Sequence, residues 1–216
     1  MDKAERLRRR MVQEQLLDRG IRDPLVLQAM AEVPRELFVP EAWQEYAYAD
    51  SPLPIAQDQT ISQPYVVAWM IEALALSPED RVLEVGTGSA YGAAVLSRIV
   101  REVYTIERHK ELAEAAERRL AQLGYTHVHV RYGDGTLGWP EEAPFDGIVV
   151  TASGPQIPSP LREQLSIGGR LVIPVGQTAD SQELVRLHRV SEKEMRRENL
   201  GSVRFVPLVG KGGWNG

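Results

Sequence analysis

Residues 81–92 restrict the fold more tightly than any other stretch of this chain. The apolar run Arg81-Val82-Leu83-Glu84-Val85 leads straight into Gly86-Thr87-Gly88-Ser89-Ala90-Tyr91-Gly92. A short apolar run that ends in closely spaced glycines is the pattern of a strand, a tight turn and a helix opening at the strand's carboxyl end. That first helix is expected to run through Ile99. Further strand-like runs follow at 102–107, 126–132, 145–150 and 168–176, with a second helix expected over 109–122. Parallel neighbours in a sheet need crossover connections, so strands alternating with helices predict a doubly wound, Rossmann-like α/β sheet. Residues 184–190 (LVRLHRV) and 203–209 (VRFVPLV) look like strands with little helix between them, which predicts an antiparallel addition at one sheet edge.

The part before Arg81 reads differently. Residues 3–17 carry apolar positions at Leu7, Met11, Leu16 and Leu17 among charges, which predicts an amphipathic helix stopped at Gly20. Asp23 is placed to cap a second helix that starts at Pro24. Residues 33–60 are rich in Pro, Tyr, Asp and Gln and read as an irregular segment, long enough to suggest a functional loop. Ser62-Gln63-Pro64 opens a third helix through Val67, Met70, Ile71 and Leu74, with Ser62 a suitable N-cap. At 216 residues the chain suits one domain. Its parts are then a helical cap and substrate loop at 1–78, a cofactor-binding core at 79–176 and a β-rich tail at 177–216.

Composition removes several kinds of chemistry. With no cysteine, the sequence can form neither disulfides nor thiolate nucleophiles nor cysteine-held metal centres. The net charge of −5 argues against a nucleic-acid partner. No run of about 18 apolar residues suggests a membrane span, and the charged start MDKAERLRRR has no apolar stretch after it. A cytoplasmic, monomeric protein is expected.

The glycine-rich turn gains specificity from Glu107, which ends the next strand 19 residues after Gly88. An acid there can accept hydrogen bonds from both hydroxyls of a ribose. The dinucleotide fingerprint G-x-G-x-x-G is not met, because Tyr91 stands where its third glycine belongs. Glu84, just before the turn, suits a cationic ligand tail better than a pyrophosphate. S-adenosylmethionine carries an ammonium and a sulfonium and no phosphate, so it fits this pattern best. In Tyr132-Gly133-Asp134-Gly135, Asp134 could accept from the adenine amino group while Gly135 leaves backbone room; a plain Asp-Gly turn is the competing reading. His109, His127, His129 and His188 show no metal-ligand spacing and read as surface or core residues.

Seven segments together resemble the protein-L-isoaspartate O-methyltransferase family: QTISQPYVV (59–67), LEVGTGSAYG (83–92), VYTIER (103–108), YGDG (132–135), FDGIVVTAS (145–153), GGRLVIPVG (168–176) and VRFVPLVG (203–210). TISQPY is the most diagnostic of them. The resemblance implies methyl transfer from S-adenosylmethionine to the free carboxylate of L-isoaspartyl residues in damaged proteins and peptides. The ester then collapses to a succinimide. It implies a cofactor set of Thr60, Ile61, Glu84, Gly86, Thr87, Gly88, Ser89, Glu107, Asp134 and Gly135, with Ser62 as the active-site serine. Backbone groups near Thr60 and Ile61 would also position the substrate carboxylate. Ala90 stands where the family usually has glycine, Gly92 where a larger residue is common, and Asp58 adds a negative charge before QTIS.

Ser62 has no histidine or acid at triad spacing and is not read as a nucleophile. A carboxylate attacking a sulfonium needs no general base, so a nearly flat kcat/KM is expected between roughly pH 6 and 8. The rival readings are a small-molecule methyltransferase of the same fold, and a regulatory protein that binds the cofactor without catalysis.

Overall fold

The structure, a computed structural model, describes residues 2–178 and 181–215. Helix α1 (Lys3–Arg10), capped by Asp2, continues without a break into a π-helical segment, Met11–Leu17. Gly20 turns the chain away at φ +104. Asp23 caps α2 (Pro24–Glu32), its carboxylate accepting from the Leu25 and Val26 amides. Short 3-10 helices at Arg35–Phe38 and Glu41–Tyr46 lead to a small hairpin of β1 (Leu53–Pro54) and β2 (Thr60–Ile61). Helix α3 (Pro64–Leu74) follows, so the segment expected to be irregular is largely so.

The core then alternates as expected. It comprises β3 (Arg81–Val85), α4 (Tyr91–Leu96), β4 (Glu102–Glu107), α5 (Lys110–Gln122), β5 (Val128–Tyr132), β6 (Phe145–Val150), α6 (Ser159–Glu163), β7 (Leu165–Thr178), β8 (Ser181–Arg189) and β9 (Met195–Val203). The seven strands from β3 on form one sheet in the order β5-β4-β3-β6-β7-β8-β9. Strands β3 to β7 pair in parallel; β8 and β9 add antiparallel at one edge. The chain moves outward from β3 to β5 and then returns to the other side of β3 at β6. That reversal opens a crevice beyond the carboxyl ends of β3, β4 and β6, where ligands of such sheets bind.

Two expectations about elements need correction. Helix α4 stops at Leu96 rather than at Ile99, and the Ser97 hydroxyl donates back to the Ala94 carbonyl at 2.8 Å. The second tail strand is Met195–Val203, not 203–209. Strand β9 is mostly exposed and polar, so it carries no apolar alternation to detect. Beyond it, the Gln182 side-chain amide grips the Phe205 backbone from both sides, at 2.7 and 3.0 Å. The chain then lies beside Ser153, whose amide donates to the Val206 carbonyl at 2.8 Å. Pro207 has no amide to give a ladder. This stretch therefore forms a wall instead of a strand.

Tyr91 explains its own presence at the third-glycine position. Its ring packs edge-on against Phe38 at 5.7 Å and its hydroxyl meets Met30 Sδ at 3.5 Å. The cap and the cofactor core thus share one hydrophobic cluster, through Met30, Phe38, Tyr91 and Ala94.

Candidate functional site

The crevice is a cavity of about 790 Å³. That lies inside the ~300–1,000 Å³ range of small-molecule sites. Its walls come from the hairpin and start of α3 (Thr60, Ile61, Ser62, Tyr65), the ends of β3, β4 and β6, and the tail segment 202–209. Of the residues expected at a site, Thr60, Ile61, Ser62, Glu84, Gly86, Thr87, Gly88, Ser89, Glu107 and Gly135 all line it.

The turn after β3 is built for close approach. Gly86 has φ +100, and a Cβ there would fall 2.3 Å from Thr151 Oγ1. Thr151 uses that hydroxyl to donate to the Gly86 carbonyl at 2.8 Å, so β6 holds the turn. Glu107, buried at the end of β4, accepts from the Gly88 amide at 2.9 Å through Oε2 and from the His109 amide at 2.9 Å through Oε1. Each oxygen keeps a lone pair for a further donor. A diol presented to this carboxylate would complete it.

Glu84 is 2 % exposed. Its Oε2 accepts from the Thr105 hydroxyl at 2.7 Å, and Thr105 Oγ1 lies 2.6 Å from Thr87 Oγ1. If Thr105 donates to the acid, Thr87 donates to Thr105, forming a short hydroxyl chain. Burial pushes the Glu84 carboxyl up to about 8, against the Thr105 hydrogen bond and aided by the nearby Glu107. Gly92 makes this placement possible, because a Cβ there would sit 2.3 Å from Glu84 Oε1. Ala90 adopts φ +71, a left-handed conformation that explains why glycine suits the position better.

Asp134 is placed differently from the expectation. Gly135 lines the cavity but Asp134 is not among the lining residues. Its Oδ1 accepts from the Thr136 amide and hydroxyl at 2.9 and 2.6 Å, and its Oδ2 from the Lys211 amide at 2.8 Å. Burial raises its carboxyl, but the donors from Thr136 and Lys211 outweigh that and hold it below the usual range. Asp134 caps the 3-10 turn Gly135–Leu137 and anchors the C-terminal segment. Gly135 likewise serves packing, since a Cβ would come 2.4 Å from Val85 Cγ1. Replacing Asp134 by Ala should therefore lower stability by about 1–2 kcal/mol. Thermal denaturation should show that loss while cofactor affinity changes little; the reverse pattern would restore Asp134 to the ligand.

Ser62 is not the N-cap of α3. That position belongs to Gln63, and no side chain caps the helix. The Ser62 hydroxyl makes no hydrogen bond to another described residue and is free to face the cavity. Asp58 sits exposed at the hairpin tip and is not among the lining residues, so its charge is less intimate with the site than its position in the sequence suggests. His127 and His129 are held by the Ser97 carbonyl and by Glu102, each at 2.7 Å. His109 departs from the surface-or-core expectation. It lines the cavity, and its buried Nε2 has no hydrogen-bond partner among the described residues. Sequence reasoning also passed over Thr105, whose role depends on the register of β3 against β4.

Comparison with known proteins places this arrangement. Residues 7–213 match the family model described as Protein-L-isoaspartate(D-aspartate) O-methyltransferase (PCMT). The chain is 63% identical over 204 residues to Protein-L-isoaspartate O-methyltransferase 1 of Geotalea uraniireducens, covering 94% of this chain and 93% of that one. It is 58% identical over 208 residues to the Pelotomaculum thermopropionicum protein of the same name, covering 96% and 90%. Among solved structures, one protein-L-isoaspartate O-methyltransferase superposes with a TM-score of 0.86 at 30% identity, over 95% of this chain and 67% of that one. A Plasmodium falciparum structure titled as a member of the same family, in complex with S-adenosyl-L-homocysteine, gives 0.81 at 26% identity over 94% and 98%. The buried acids, the glycine turn and the Thr60–Ser62 wall thus stand in a chain that belongs to the protein-L-isoaspartate(D-aspartate) O-methyltransferase family.

Proposed function

We propose that this chain performs its family's reaction in the crevice beyond β3, β4 and β6, with Glu107 and Glu84 holding the methyl donor and Ser62 orienting the substrate. The observation that carries the reading is the pair of buried carboxylates, Glu84 and Glu107, lining one cavity with the glycine turn and with Ser62, whose hydroxyl is unspent among the described residues. The substrate is the free carboxylate of an L-isoaspartyl residue in a damaged protein or peptide. S-adenosylmethionine, when bound, supplies a methyl group on a positively charged sulfonium.

The residues fit that donor. Glu107 has acceptor capacity left for the ribose hydroxyls. Glu84 would face the ammonium, which favours its ionised form. Gly86 and Gly88 let the main chain come close, and Thr87 and Ser89 complete the turn. The unpartnered His109 Nε2 offers one further polar contact. On the substrate side, the Ser62 hydroxyl donates to one carboxylate oxygen and leaves the other free to attack, with the Thr60 and Ile61 main chain beside it. A carboxylate has a reference pKa near ~4 and is ionised at neutral pH, so no side chain must remove a proton. The enzyme's contribution is alignment and exclusion of water. The product methyl ester collapses to a succinimide, which begins repair.

The cap, core and tail act as one domain in this reading, since all three contribute to the cavity wall. We also infer a monomer in the cytoplasm, the absence of cysteine fitting a reducing compartment, and no nucleic-acid partner, which the −5 net charge disfavours. No helix among the described residues is long and apolar enough to cross a membrane.

Transfer of tritiated methyl to a synthetic isoaspartyl peptide, with its aspartyl twin as control, tests the substrate. Ser62→Ala should then lower kcat/KM by at least about tenfold, the loss of a hydrogen bond to a charged group. Because Ser62 caps no helix, the melting temperature should stay near that of the parent. A lowered melting temperature with full turnover would assign Ser62 a structural role instead.

A further inference from the structure

Arg35 is completely buried, and its guanidinium has no acidic partner within salt-bridge distance among the described residues. Its Nε donates to the Ala47 carbonyl and its Nη2 to the Ser62 carbonyl, both at 2.8 Å. Its Nη1 is buried with no hydrogen-bond partner among the described residues. The guanidinium lies 4.7 Å from the centre of the Tyr91 ring, which forms part of the cavity wall. Asp50, the acid whose field reaches it, is itself paired with Arg19.

A charge buried without a counter-ion is expensive, and hydrophobic residues of similar volume usually serve packing better. Burial accordingly holds the Arg35 pKa below its ordinary value. What this side chain does that an apolar one cannot is join two carbonyls. Ala47 and Ser62 are the two ends of the segment that carries the β1–β2 hairpin, and that hairpin forms the cavity wall beside the glycine turn. The segment is also held by Tyr48, Leu53 and Ile61 buried in the core and by Gln15 Nε2 donating to the Tyr48 carbonyl at 2.8 Å. Gln57 at its tip bonds Glu111, and Asp50 at its base bonds Arg19. Two adjacent non-glycine residues at the tip, Gln57 and Asp58, have φ of +59 and +53, the paired left-handed conformation of a tight hairpin turn, closed by the Gln59 amide donating to the Ala56 carbonyl at 3.3 Å. At the substrate end, beside the buried Ile61, the Ser62 carbonyl is tied to the cap by Arg35. The planar fork of a guanidinium can hold two acceptors in one fixed geometry; an ammonium cannot.

We propose that Arg35 is a positioning residue for the substrate carboxylate, clamping the base of the 47–62 segment through Ala47 and Ser62 so that the Ser62 hydroxyl is presented at a set angle. The proposal rests on the reading of Ser62 as the substrate-orienting group. Arg35 makes no contact with cofactor or substrate in it. The cofactor acids Glu84 and Glu107 and the glycine turn stand outside the clamped segment, with only Thr60 and Ile61 of the expected cofactor set inside it, so loosening the clamp should weaken cofactor binding far less than peptide binding.

Arg35→Lys keeps the charge but reaches only one carbonyl, and Arg35→Met removes both the charge and the clamp. The full chain should be assayed for methyl transfer to an isoaspartyl peptide, with calorimetric titration of S-adenosylhomocysteine and amide hydrogen exchange over 47–62. For Arg35→Lys we expect KM for the peptide to rise about tenfold or more. The fall in kcat should be less than about threefold, and the S-adenosylhomocysteine Kd should stay within about twofold, with faster exchange confined to 47–62. Arg35→Met should be worse in the same direction; if it does not fold, the lysine variant alone decides. A parental KM in a folded Arg35→Lys, or peptide and cofactor binding weakened in parallel, would overturn the clamp. Should the unaltered enzyme transfer no methyl to the peptide, the reading of Ser62 fails and the proposal with it. Unchanged exchange over 47–62 would refute the clamp on its own.

Discussion

Glu107→Ala should weaken S-adenosylhomocysteine binding by about two orders of magnitude or more and lower the melting temperature as well. Each ribose hydroxyl loses a charge-assisted acceptor, together worth about 1.5–3 kcal/mol. The structure adds a second loss that sequence alone does not show. The Gly88 and His109 amides both donate to this carboxylate. Removing it leaves two backbone donors unmade in and beside the glycine turn, at roughly 1–3 kcal/mol for each one kept from water. Glu107→Gln should not rescue the site, because one of its two oxygens becomes an NH₂ group facing an N–H donor. Calorimetry with S-adenosylhomocysteine and a thermal melt, run on the same preparations, measure both effects. An unchanged Kd in a folded variant would remove Glu107 from the cofactor site.

The second large effect is a pH dependence centred on Glu84. Its carboxyl sits at about 8 in the folded chain, against an ordinary value of 4.5. Between those values the folded protein holds a proton that the unfolded chain has released. The stability of the cofactor-free protein must therefore fall as pH rises through that window, at up to about 1.4 kcal/mol per pH unit from this group. The contribution is complete below the unfolded value and gone once pH passes about 8. Glu84→Gln, which stays neutral, should flatten this part of the stability profile. The same group links cofactor binding to protons. A cationic ammonium favours the ionised form of the acid, so binding at pH 7 should release a proton and affinity should strengthen between about pH 6 and 8. Titrations in buffers of different ionisation enthalpy would detect that proton. A binding enthalpy independent of the buffer would mean that Glu84 is already ionised or does not face the ammonium. The flat pH profile expected from a reaction without a general base then applies to turnover with cofactor saturating, and not to cofactor affinity.

Much of the fold was legible because its signals are local. Strands β3, β4 and β6 have the bounds that the apolar runs at 81–85, 102–107 and 145–150 predict. Parallel strands buried on both faces read as nearly continuous apolar segments, and these three do. Asp23 and Pro24 announced a helix start by their own backbone chemistry, and the structure places the cap there. Strand β9 was not legible, because an exposed edge strand needs no apolar alternation and MRRENLGSV has none.

The site divides in the same way. Gly86, Gly88 and Glu107 could be picked out because their spacing around a strand and a turn is itself the signal. Ser62 stood out only through the resemblance of TISQPY, and Pro64 two residues on pointed as strongly to an N-cap role until the helix was seen to take Gln63 as its cap. Asp134 shows the opposite limit: its sequence context predicts a turn acid, but its second oxygen is claimed by an amide 77 positions away at Lys211. Arg35 carries no motif of its own, being one of the chain's many arginines and the single one in the stretch 33–60. Its meaning comes from the Ala47 and Ser62 carbonyls that the cap brings to it. The sequence by itself thus determined the parallel core, the glycine turn and the acid at the end of β4, because side-chain period and backbone freedom are properties of neighbouring residues. Only the tertiary structure decided which polar groups are already satisfied and which remain open to a ligand, because a buried donor or acceptor must find its partner wherever the fold delivers one.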